Sequence, residues 1–170
     1  MPKALLELDH FLPYRLSRAA EAVSRDFATL YRERYGMTRP EWRVLATVGQ
    51  FGRITATAIG RHSSLHKTKV SRAVVALEKR RWISRSTDTD DRRIEHLTLT
   101  REGVACYRAL VTIAKAYERR LIAALGDEQS AQLAHGLDAV EAALTIASKP
   151  DHPTSQTTKL PVGGEPTGKR

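Results

Sequence analysis

The sequence predicts a mainly α-helical chain that carries one short β-hairpin. Three observations lead there. Over most of residues 10–147 apolar side chains recur at spacings of three and four, the period of a helix that buries one face. Between Trp82 and Leu99 that period gives way to two short runs suited to strands, split by a polar, turn-forming loop. From Ser148 onward four prolines and three glycines interrupt a polar stretch with no core-forming pattern, so a disordered tail is expected.

Taken in order, residues 2–9 read as a short arm. The first helix is expected over about 10–34, with Leu12, Leu16, Ala20, Val23, Phe27, Leu30 and Tyr31 on its apolar face. Pro13 is tolerated only in a first turn, and Gly36 suits a helix stop. Thr38-Arg39-Pro40-Glu41 is a start signal. Thr38 can accept a bond from the turn above it, and Glu41, three residues on, can return one. Pro40 sits where a missing N–H matters little. The helix that follows is expected to bury Trp42, Leu45, Ala46 and Val48, with Gly49 and Gly52 bracketing its end.

Residues 54–60 read as a short helix with Thr55 near its N-cap, 63–66 as a turn, and 67–81 as the next helix. There Val70, Val74 and Leu77 share one face, and Thr68, Ser71, Arg72 and Val75 the other. Residues 82–86 and 94–99 suit strands around a loop at 87–93. Thr100 caps a long helix over about 101–125 that Gly126-Asp127 stops, and a last helix is expected over about 128–146.

Charge narrows the function. The 170 residues carry a formal charge of +9. Residues 61–101 hold 11 lysines and arginines against five carboxylates, which is two thirds of the excess in a quarter of the chain. Such a localised basic segment points to nucleic acid. A membrane surface is a weaker partner, because the basic helix has no large aromatics on its apolar face. With no run of 18 apolar residues, no transmembrane helix is expected. The opening residues lack the apolar stretch of a signal peptide, so a cytoplasmic location is expected.

Enzyme chemistry finds no foothold. The six histidines (His10, His62, His66, His96, His135, His152) are scattered. There is no Gly-rich phosphate loop, no His-Glu-x-x-His and no Gly-x-Ser-x-Gly. Ser63-Ser64 stand beside His62 and His66 without an acidic residue to complete a triad. Cys106, the single cysteine, excludes an internal disulfide and a cysteine-based zinc cluster. A small apolar helix residue is its expected role, and thiol sensing is the lesser alternative. No cofactor, metal or catalytic residue is expected.

A short helix, a turn, a second helix and a charged hairpin follow one another between Glu41 and Leu99. That is the order of a winged helix-turn-helix, with the hairpin as wing. A helix fits the major groove and its N-terminal side chains reach base edges. Lys67, Thr68, Lys69, Ser71 and Arg72 supply donors and charge for that purpose. At the hairpin tip, Arg92 and Arg93 suit the narrow, strongly negative minor groove. Asp91, two residues from Arg93, is expected to pair with it and hold it extended. An all-helical module that offers its basic face to an acidic protein is the competing class, but it gives no reason for an arginine-tipped hairpin.

Lys67-Thr68-Lys69-Val70-Ser71-Arg72, then Leu77-Glu78-Lys79-Arg80, then Asp88-Thr89-Asp90-Asp91-Arg92-Arg93, then Leu97-Thr98-Leu99-Thr100-Arg101-Glu102-Gly103 run in one order and spacing. In this series the chain resembles the MarR family (multiple antibiotic resistance regulators) over about residues 10–147. The resemblance implies a homodimer whose first and last helices interlock, above two winged domains that read a pseudo-palindromic operator in double-stranded DNA. It also implies that Arg93 enters the minor groove with Asp91 in support. The expected division is 1–37 arm and dimerisation helix, 38–100 winged helix-turn-helix, 101–147 C-terminal dimerisation helices and 148–170 tail. His66 departs from the family's usual Ser or Asp at the start of the recognition helix. A neutral imidazole is a poorer cap, so Ser64 is expected to cap instead, which leaves His66 to touch phosphate or base or merely to fill the turn.

Most members repress nearby genes, and many leave DNA on binding phenolic or aromatic compounds. The opening His10-Phe11-Leu12-Pro13-Tyr14-Arg15-Leu16-Ser17 resembles a subgroup tied to the catabolism of aromatic acids such as hydroxycinnamates, or of their coenzyme A thioesters. On that resemblance, Arg15 is the cation for a carboxylate, with Tyr14 and Trp42 lining an apolar slot. Arg32, Arg34 and Arg39 are then placed to meet the phosphates of a thioester. The other reading leaves Tyr14 and Trp42 in the core and Arg15 on the surface or at a dimer interface. Regulation of efflux or stress genes with another phenolic effector is the alternative function.

Overall fold

The computed structural model describes residues 5–144, so the tail expected at 148–170 lies outside the described residues. Local signals set most element starts. Six helices and three strands run in the order α1 (Leu12–Tyr35), α2 (Arg39–Phe51), β1 (Ile54–Thr55), α3 (Ala56–Ser63), α4 (Lys67–Lys79), β2 (Ile83–Thr87), β3 (Glu95–Leu99), α5 (Arg101–Leu125) and α6 (Asp127–Ala143).

Pro13 lies in the first turn of α1, and Gly36 ends it in the left-handed region at φ 59°, where glycine pays no Cβ penalty. The capping box at α2 forms as the residue types require. Thr38 Oγ1 accepts from the Glu41 N–H at 3.5 Å, and the Glu41 carboxylate accepts from the Thr38 N–H at 3.1 Å. Thr55 and Thr100 cap α3 and α5 in the same manner, accepting from Ala58 and Gly103 at 3.2 and 3.0 Å.

Two expectations need correction here. Ile54 and Thr55 are a strand, not the start of a helix. They pair antiparallel with β3 in the register Ile54↔Leu97 and Thr55↔His96, so the wing is a three-stranded sheet in the order β1-β3-β2. The backbone groups of this short segment find partners some forty residues away, which its own sequence does not announce. The helix expected to run to residue 81 stops at Lys79, because Arg81 turns left-handed at φ 59° and swings the chain into β2.

Val44, Leu45 and Val48 from α2, Ile59 from α3, Val70, Val74 and Leu77 from α4, Leu97 from β3 and Leu110 from α5 are almost wholly removed from solvent. Burial on this scale, about 1.5–3 kcal/mol for each large aliphatic side chain, fixes how α4 rolls against α2 and α3. Trp42 and Ala46, expected in that core, are only partly buried, and Val44 takes the central place. By contrast α1 buries only Ala28 and Tyr31, and α6 buries no residue at all. Leu12, Val23, Ile122, Leu125, Leu133 and Leu137 stand exposed on α1, α5 and α6. No helix among the described residues is long and apolar enough to cross a membrane.

Candidate nucleic-acid interface

Packing decides which side of α4 is displayed. Val70, Ala73, Val74 and Leu77 face inward, so Lys67, Thr68, Lys69, Ser71 and Arg72 stand exposed. The helix start corrects the expectation for Ser64. Ser64 is the left-handed C-cap of α3, at φ 54°, and is not free to cap α4. His66 is the N-cap, and its Nδ1 accepts from the Thr68 N–H at 3.4 Å. Capping in this way uses Nδ1 as an acceptor.

The wing tip is built by carboxylates acting on backbone. Asp88 Oδ1 accepts from the N–H groups of Asp90 and Asp91 at 3.0 and 3.2 Å. Asp91 Oδ1 accepts from the backbone N–H of Arg93 at 2.9 Å. The expected Asp91–Arg93 side-chain pair is therefore absent among the described residues: Asp91 orients Arg93 through its main chain and leaves its guanidinium uncommitted. Asp88 Oδ2 also meets His96 Nε2 at 2.9 Å and Arg53 Nη2 at 3.3 Å. These donors, the backbone ones first, hold the Asp88 carboxyl down at about 2. Lower in the wing, Arg85 grips both oxygens of Glu78 on α4, at 3.1 and 3.2 Å, and Glu95 on β3 at 2.6 Å. That clamp raises the guanidinium's pKa and ties the hairpin to α4.

A division of labour among cations follows. Arg53, Arg80 and Arg85 are engaged by carboxylates. Lys67, Lys69, Arg72, Arg92 and Arg93 are exposed and join no ion pair among the described residues. Sequence reasoning found the displayed set. It missed the engaged set and Asp88, whose partners come from three separate segments.

The expected effector residues are not brought together. Tyr14 is exposed, with the Arg18 guanidinium 5.7 Å from its ring centre. Arg15 lines a groove along α1 with Leu12, Leu16, Ala22 and Arg25, and neither Tyr14 nor Trp42 borders it. Trp42 stacks on Tyr31 at 5.8 Å and borders a separate cavity between α2 and α3, with Arg43, Thr47, Gln50 and His62. Arg39 is engaged by Glu21 at 2.6 Å, while Arg32 and Arg34 lie exposed in the last turn of α1. Arg43 is the overlooked residue. It is partly buried, donates to the Ser63 carbonyl at 3.1 Å, and burial followed by the neighbouring Arg39 lowers its pKa. Among the described residues no His, Cys, Asp and Glu cluster is arranged to hold a metal ion.

The fold and this surface define a winged helix-turn-helix protein. Comparison with known proteins gives the same class. The sequence profile of the MarR family matches residues 37–94. The transcriptional repressor MdtR of Bacillus subtilis (strain 168) is 29% identical over 103 residues, which is 61% of this chain and 66% of MdtR. The crystal structure of a MarR family transcriptional regulator from Silicibacter pomeroyi DSS-3 superposes with a TM-score of 0.73 at 28% identity, covering 82% of this chain and 99% of that one. NadR, solved in complex with 4-hydroxyphenylacetate, shares the fold with a TM-score of 0.67 at 20% identity, over 82% of this chain and 97% of NadR. Residues 37–94 thus match the MarR family of transcriptional regulators, which are DNA-binding proteins, and the fold is that of MarR-family structures.

Proposed function

We propose that this chain is a homodimeric repressor that binds a pseudo-palindromic operator in duplex DNA and is released by an aromatic acid or its coenzyme A thioester. The observation that carries the DNA reading is the set of five uncommitted cations on the first two turns of α4 and the hairpin tip, beside neighbours that carboxylates neutralise. In it Lys67, Thr68, Lys69, Ser71 and Arg72 meet the major groove, Arg93 the minor groove, and Arg92 the flanking phosphates. The exposed apolar residues of α1 and α6 support a second copy as the partner of these helices. A cytoplasmic location goes with that role.

For the effector, the Trp42 cavity is the better seat. Arg43 brings a partly desolvated guanidinium to its wall, the group suited to a carboxylate beside an aromatic ring. NadR's complex with 4-hydroxyphenylacetate supports an aromatic acid as the chemical class. The target genes on this reading serve aromatic-compound catabolism; MdtR's status as a repressor supports the sign of regulation.

Titrating the full chain into a fluorescent 30-base-pair duplex pool, at several salt concentrations, tests the reading. Affinity should fall steeply with salt, because each neutralised phosphate adds roughly −0.9 to the log–log slope. A flat response would refute DNA binding. Once an operator is selected from that pool, Arg72→Ala should cost roughly 1–3 kcal/mol there and relax sequence preference. Equal weakening on operator and random DNA would make Arg72 a phosphate contact.

A further inference from the structure

We propose that Asp88, His96 and Arg53 form a positioning cluster that holds the wing tip in its DNA-ready shape before DNA arrives. The proposal rests on the DNA reading above and adds three residues that never touch the duplex.

The geometry is a relay from the body of the domain to the tip. Arg53, between α2 and β1, and His96, in the central strand of the sheet, both reach Asp88 Oδ2, at 3.3 and 2.9 Å. The other oxygen of the same carboxylate accepts from the main chain of Asp90 and Asp91. Asp91 in turn accepts from the Arg93 N–H through its side chain, and from the Ile94 N–H through its carbonyl at 2.9 Å. The Asp88 N–H closes the loop on the Ile94 carbonyl at 2.8 Å. The Asp88 carboxylate therefore holds Asp90 and Asp91, Asp91 holds Arg93 and Ile94, and that carboxylate is bolted to two other segments.

Only an ionised aspartate suits the position. Four donors converge on it, which uses both oxygens as acceptors. The histidine is kept there against a penalty: its Nδ1 is buried with no hydrogen-bond partner, and an unsatisfied buried acceptor is unfavourable. The bond to Asp88 is the polar contact that holds the ring in place. A seven-residue polar loop without the cluster must be ordered at the moment of binding, which lowers affinity without the loss of any direct contact.

Asp88→Asn separates the two jobs of the carboxylate, since the amide oxygen can still accept from the turn while the amide nitrogen faces His96 and Arg53 as a donor. The free protein is first exposed to trypsin, with cleavage after Arg92 and Arg93 followed by mass spectrometry. Faster cleavage there in Asp88→Asn and His96→Ala, with cleavage at sites outside the wing at the wild-type rate, supports the proposal, and unchanged cleavage after Arg92 and Arg93 overturns it. A double-mutant cycle with Arg93→Ala on the random duplex pool then separates positioning from general damage. Asp88→Asn should weaken binding about tenfold when Arg93 is present and less than about twofold when it is absent. Equal losses in both backgrounds overturn the proposal. If Arg93→Ala itself leaves binding unchanged, the minor-groove role of the wing fails and this proposal with it. If the wild-type chain binds no duplex, the function proposed above fails first, and the trypsin result alone then supports or overturns an ordered tip.

Discussion

Replacing Gly103 with alanine adds one methyl group where the backbone approaches most closely among the described glycines. The first turn of α5 lies against the chain that leaves α4: the Thr100 N–H donates to the Trp82 carbonyl at 3.1 Å, and the Thr100 hydroxyl donates to the Arg81 carbonyl. A Cβ on Gly103 would stand 1.9 Å from the Trp82 carbonyl oxygen, 2.8 Å from its carbon and 3.1 Å from its Cα. All three are backbone atoms, so no rotamer change relieves the clash. Carbon and oxygen rest at about 3.3 Å or more, so the two segments must part by more than an ångström. That displacement is overpacking, at about 1–3 kcal/mol, with a backbone hydrogen bond lost at about 0.5–1.5 kcal/mol. Better helix propensity returns about 1 kcal/mol. The net loss of about 1–3 kcal/mol corresponds to a fall of roughly 3–10 °C in thermal midpoint for a chain of this size. Circular dichroism melts of both proteins at one concentration measure it. A midpoint equal to or above wild type would show that the joint has room, and would refute the argument.

Acid should act through the wing. The Asp88 carboxyl is lowered from 3.8 to about 2, so its contribution is present above its unfolded pKa and lost as pH falls through the folded value. The stability gap between wild type and Asp88→Asn should therefore be constant above about pH 5 and close towards pH 2; a gap that persists at pH 2 contradicts this. Thr38→Ala removes the cap of α2 and should cost about 1 kcal/mol in urea unfolding, a loss that would be missing if water replaced the hydroxyl fully. Leu77, fully buried on the inner face of α4, should cost about 2–5 kcal/mol on change to alanine. Val75, exposed on the outer face, should change stability by less than about 0.5 kcal/mol. Similar losses at both positions would mean that α4 is rolled differently.

What the sequence made legible was what lies within one helical turn. Thr38 and Glu41 announce each other across three residues, and Val70, Val74 and Leu77 announce a face, so α2 and α4 could be placed with their displayed sides known. The two-residue strand at Ile54 was hidden because its partner, Leu97, lies far along the chain. Ser64 misled because the end of α3 and the start of α4 compete for one turn, and the left-handed C-cap claims it. Arg43 carried a readable signal: a charge between Trp42 and the buried Val44 and Leu45, inside a segment whose period already promised burial. Tyr14, Arg15 and Trp42 required the lie of α1 over α2, which no local pattern encodes.

A helix of 17 residues, none of them buried, is close to the limit of what an isolated segment can sustain. On the dimeric reading, α6 is finished only when a second subunit arrives, so association is the last act of folding. Its melting point should climb with protein concentration, and a newly made, solitary subunit is the form most open to degradation. The abundance of this regulator and its lifetime are thereby linked through one bare helix.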